Sequence, residues 1–136
     1  MRTKSSIFVA ISLLLLSLMA WGREDRLSNR GLAPAAAGTV ITNNDKNGNT
    51  EVEVKVEHMA TPQALTPAAN AYVVWVQPRG ESPQNVGVLR VNSDLKASLK
   101  TTIPAKVFDV FITAEQSENP TMPSASEILR GSVERQ

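Results

Sequence analysis

A single histidine, His58, and the absence of cysteine bound the chemistry open to this chain. Any step that needs an imidazole must pass through His58, while thiolate nucleophiles, disulfides and cysteine-type zinc sites are excluded. A catalytic base requires a nucleophile and an orienting acid within reach, and the segment around His58 (VEHMATP) gives no local sign of either. Its parity continues the face of Val52, Val54 and Val56, which predicts a place at the rim of an apolar surface. Asn43-x-Asp45-x-Asn47-Gly48 repeats the first half of a calcium loop. The second half fails, because position twelve falls on Val54 where a bidentate Glu is required, and a polar hairpin tip is expected instead. Glu115, Glu118 and Glu127 are a candidate carboxylate set for glycosidic hydrolysis. Such sites sit in clefts furnished with aromatic rings, and this chain has six aromatic residues, two of them (Phe8, Trp21) near its start. Trp75 could stack on a sugar, but in a strand apolar on both faces an indole belongs to the core between sheets. No catalytic, cofactor-binding or metal-binding set follows from these residues, and an enzyme is not the expected reading.

The elements that must carry these residues read as strands. Glu51 to Glu57 alternates strictly, with valines at 52, 54 and 56 on one face and charges on the other. A period of two is a half-buried strand. With Thr39 to Thr42 before it and Asn47-Gly48 between, residues 39–57 predict a β-hairpin closed by a type I′ turn. Two prolines, Pro62 and Pro67, then mark a loop. Ala71 to Gln77 (AYVVWVQ) reads as a central strand, and a turn cluster follows from Pro78 to Pro83. Further strands are expected over Asn85–Val91, over Asp94–Ile103 with Leu95, Ala97, Leu99 and Thr101 sharing a face, and over Val107–Glu115. In the last of these Phe108 points inward and Phe111 to the second face. A polar loop from Gln116 to Ser126 and a short strand over Ile128–Val133 complete the chain. About seven short strands and no helix after the N-terminal segment predict an all-β fold, a small antiparallel β-sandwich with immunoglobulin-like connectivity as one arrangement.

The N-terminal segment is of another kind. Arg2 and Lys4 precede an uncharged run from Ile7 to Leu18, and small residues at 20 and 22 suit cleavage after Gly22. The uncharged stretch from Ser5 to Gly22 also approaches the ~17–25 residues that span a bilayer, so residues 1–22 are read as a signal peptide or a membrane anchor. Either reading places the remainder outside the cytoplasm, in the periplasm, secreted, or held at the inner membrane. Residues 23–37, of mixed charge and then Gly-, Pro- and Ala-rich, are expected to be a linker, and 38–136 the domain. After residue 22 the chain carries 12 Lys and Arg against 13 Asp and Glu. That balance gives no concentrated basic surface for nucleic acid.

From Tyr72 to Gly131 the chain resembles the extracytoplasmic C-terminal domain of anti-sigma-K factors. The likeness rests on Tyr72-Val73-Val74-Trp75-Val76, on Pro83 and Val86-Gly87-Val88-Leu89, on the strand ending at Glu115, on Pro120 and Pro123, and on Ile128-Leu129-x-Gly131. In that family the domain is a β-sandwich outside the membrane, joined through one helix to a cytoplasmic sigma-binding domain. Only four residues precede the uncharged segment here, and Glu115-Gln116 stands where the family tends to have Glu-Pro. The resemblance therefore implies the fold and the compartment. It implies an interaction or sensor-like module with a protein or cell-envelope partner, touching the membrane only through residues 1–22, and no cofactor; a small-ligand or carbohydrate-binding domain is the alternative.

Overall fold

The computed structural model describes residues 22–135, so the expected signal or anchor helix lies outside the described residues. Eight strands form one sheet: β1 (Arg23–Asn29), β2 (Ala37–Asn44), β3 (Thr50–Glu57), β4 (Ala71–Pro78), β5 (Gln84–Leu89), β6 (Ala97–Ile103), β7 (Val107–Glu115) and β8 (Glu127–Glu134). A short 3-10 turn at Pro62–Ala64 is the one helical element among the described residues, and none of their helices is long and apolar enough to cross a membrane. The strand order is β5-β4-β7-β8-β1-β2-β3-β6, with every ladder antiparallel. The sheet is nearly closed: β5 and β6 face each other across a seam, where a Cβ on Gly87 would stand 3.0 Å from Leu99 Cδ1. Val86 on β5 and Leu99 on β6 are partly buried against the core.

One core fills the interior, drawn from Val40, Val52, Val54 and Val56 on one side and Tyr72, Val74, Val76, Val110 and Ile112 on the other. The β3 alternation gives the expected burial, with Val52, Val54 and Val56 inside. Immunoglobulin-like connectivity is not what forms, because in that arrangement the third strand crosses to the opposite sheet. Here β3 pairs with β2 along its whole length.

Two further expectations are corrected. Residues 23–37 are not a linker, since Arg23–Asn29 form β1, pairing with β2 from Arg23 to Leu27 and with β8 at Ser28 and Asn29. The domain thus begins at Arg23 and not at residue 38. Only Leu27 of β1 is buried, and it seats where two glycines leave room. A Cβ on Gly38 would lie 2.9 Å from its Cδ1, and one on Gly131 2.7 Å from its Cδ2. Burying one leucine contributes roughly 1.5–3 kcal/mol, enough with the ladder to hold a strand that carries no apolar pattern. Leu95, expected within a strand, instead sits in the turn before β6 at φ 60° with its side chain exposed.

The hairpin forms as expected, but its turn differs. Asp45 and Asn49 close a three-residue loop (Asp45 N–H to Asn49 O, 2.9 Å; Gly48 N–H to Asp45 O, 3.3 Å). Only Gly48 takes positive φ, at 80°, whereas a type I′ turn needs it at two positions. The Asp45 carboxylate explains the choice, accepting the Asn47 and Asn49 amides at 2.8 Å each.

Candidate functional site

Alternation along β4 and β7 sends Val73, Trp75 and Phe111 to the outer face, where they are nevertheless buried as a second apolar cluster. Trp75 stacks on Phe111 with centroids 6.3 Å apart and planes 16° from parallel. Its indole N–H donates to Thr113 Oγ1 at 2.8 Å, wholly buried. Trp75 is therefore a core residue as expected, but of an outer-face cluster and not of the space between two faces. Phe108 points inward and Phe111 outward, as their parity predicts.

Hydrogen bonds tie the loop 116–126 to this face of the sheet. Glu115, 1 % exposed, accepts the Ser124 amide at 2.7 Å and its hydroxyl at 2.9 Å. Asn85, the β5 partner of Trp75, donates to the carbonyls of Glu118 and Pro120. Arg130 closes the other flank, its guanidinium 4.7 Å above the Phe111 ring and bonded to Asp109 at 2.7 Å and to Glu127. Burial alone would raise the Asp109 carboxyl pKa, but hydrogen bonds from Ser132 and Arg130 outweigh it and hold it below the ordinary value. Beside this network lies a shallow depression of about 350 Å³, lined in part by Gln77, Asp109, Arg130 and Ser132. Its charged groups are already paired.

The expected carboxylate set is thus dispersed among separate partners: Glu115 on Ser124, Glu118 on Arg90 at 3.0 Å, and Glu127 on Arg130. His58 is exposed at the end of β3 with φ 53°. Asp45 spends its oxygens on the turn amides. Burial would raise its carboxyl pKa, yet donation from Asn49 and Asn47 lowers it. Trp75, 0 % exposed, offers no free ring face.

Antiparallel pairing sorts the loops to two ends. The end at which β1 begins holds the turns 45–49, 79–83 and 104–106; the opposite end holds loops 30–36, 58–70, 90–96 and 116–126. The large apolar side chains left exposed among the described residues are Leu32 (42 %), Leu95 (44 %) and Met122 (53 %), all in loops of this second end.

Asparagines shape the loops that present the two leucines. Asn29 Nδ2 donates to the carbonyls of Ala33 (2.7 Å) and Ala36 (2.9 Å), and its Oδ1 accepts the Gly31 amide at 2.7 Å. Gly31 takes φ 97°, which turns the chain before Leu32. Asn92 Oδ1 accepts the amides of Asp94 (2.9 Å) and Lys96 (3.0 Å), bracketing Leu95. Left-handed backbone at a bulky residue costs roughly 1–2 kcal/mol, so the φ of 60° at Leu95 must be imposed by its surroundings. The Met59 amide, bonded to Leu95 O at 3.0 Å, links this loop to the one that carries His58. Periodicity does not mark this end, because Leu32 has none and the parity of Leu95 with Ala97 and Leu99 assigns it to a strand; the sequence signals that could have found it are Asn29-x-Gly31 and Asn92-x-Asp94.

No family model, curated protein or solved structure matches this chain.

Proposed function

We propose that this chain is an extracytoplasmic interaction module, a domain of the sandwich-like kind that the anti-sigma-factor resemblance implies, recognising a protein or envelope partner through its loop end. One observation carries the reading: the exposed leucines at 32 and 95 stand on loops fixed by Asn29 and Asn92 side chains, at the end opposite Arg23. Loops on a rigid β scaffold are common sites of recognition. A loop already ordered loses little conformational freedom on binding. The uncharged segment before Arg23 supports a compartment outside the cytoplasm, and on that reading the loop end points away from the membrane. The two-faced core supports treating the nearly closed sheet as a sandwich.

The test compares the exported chain with a Leu32→Ser/Leu95→Ser/Met122→Ser variant in capture from envelope extracts. The exposed positions predict an unchanged thermal midpoint and at least tenfold less of the partner recovered. Equal recovery by a folded variant refutes the loop-end reading.

A further inference from the structure

The expected linker would have left the bond after Gly22 on a free segment. The fold removes that freedom. Arg23 is paired with Thr42 in the ladder, and its side chain is held by Asp25 and by the Glu134 carbonyl. Gly22 lies so close to β2 that an added Cβ would stand 2.9 Å from Asn43 Oδ1 and 3.0 Å from Ile41 Cγ2. A peptidase binds the residues on both sides of the scissile bond in an extended, unobstructed form. Cleavage of a structured site then follows the fraction of molecules in which it is open.

We infer that the Gly22–Arg23 bond is open to hydrolysis only while β1 is outside the sheet, so that processing and folding compete for the same segment. This rests on the reading of residues 1–22 as an export signal. The reaction is the addition of water across the amide, hydroxide to the Gly22 carbonyl carbon and a proton to the Arg23 nitrogen, carried out by a membrane-bound peptidase that selects small residues before the bond. A chain cut first folds as a domain beginning at Arg23. A chain that folds first keeps its uncharged segment and remains attached to the membrane with no spacer before the sheet. The two fates that the N-terminal sequence leaves open thus become outcomes of one kinetic contest, decided by how soon Leu27 reaches its slot between Gly38 and Gly131.

The full chain, purified in detergent, is incubated with detergent-solubilised signal peptidase, and conversion to residues 23–136 is followed by intact mass. Leu27→Asp removes the one buried apolar side chain of β1 and leaves both residues of the bond unchanged. Native chain and chain held in mild urea complete the comparison, so the result does not depend on how much of the variant folds. The expected result is conversion of the native chain at least tenfold slower than that of the variant or the urea-treated chain. Equal rates in all three overturn the competition. Failure to cut after Gly22 in any of them, while a control precursor is cut, overturns the export-signal reading itself and the inference with it.

Discussion

Thr113→Val isolates the polar anchor of the outer-face cluster. The substitution keeps the side-chain shape but removes the only hydrogen-bond partner that the structure gives the Trp75 indole N–H, at 2.8 Å and in a site where both residues are 0 % exposed. A buried donor stripped of its partner costs about 1–3 kcal/mol. With a urea m value of about 1–3 kcal/mol/M, the midpoint of unfolding should fall by roughly 1 M while m stays fixed. Far-UV circular dichroism against urea measures it. The same substitution made in a Trp75→Phe background should cost little, because no indole donor is left to orphan. The cycle therefore predicts a coupling of about 1–2 kcal/mol. A Thr113→Val midpoint shift worth less than about 0.5 kcal/mol, or equal costs in both backgrounds, would refute the burial of this pair.

Three further outcomes follow from the same structure. Tyr72, the only tyrosine, has its phenol pushed up to about 12 by burial and donates to Ala60 O at 2.6 Å. Its absorbance should not titrate near pH 10, and its contribution, full below the unfolded value, should be lost as pH rises through about 12; Tyr72→Phe should cost about 0.5–1.5 kcal/mol in denaturant unfolding. The lowered Asp109 carboxyl contributes stability above the ordinary aspartate value of about 3.9 and loses it as pH falls through the folded value. Asp109→Asn should therefore flatten the acid limb of a thermal-midpoint profile and leave no difference in slope above pH 5. Gly38→Val would overfill the slot that seats Leu27 and should destabilise by roughly 1–3 kcal/mol, measured by urea unfolding.

The strands that bury a face on a period of two were legible in the sequence. β3 has valines inside and charges outside, and β7 is bounded at Val107 and Glu115 as expected. The strand that was not legible, β1, has one buried residue in seven and borrows its order from β2, Gly38 included, and from Gly131 far away in the chain. Trp75 was readable as buried. That its outer face is covered was not, because the loop 116–126 is tied to that face through Asn85 and Glu115, contacts between segments that no local pattern records. The same holds for Arg130, whose partners Asp109 and Phe111 lie on the neighbouring strand β7. Leu32 carries no periodic signal and Leu95 a misleading one, since its parity continues the alternation of β6, so the candidate surface emerges only once antiparallel pairing sorts the loops to one end.

Site-specific photo-crosslinking in the cell that makes the chain reads contact at the loop end itself. A crosslinking side chain is placed at Leu32 or Leu95 on the loop end, and at Lys46 or Lys106 on the end where β1 begins. Recognition through the loop end predicts discrete adducts of the same partner from positions 32 and 95 and none of that partner from 46 and 106. Adducts confined to 46 and 106, or spread evenly over the four positions, would contradict it.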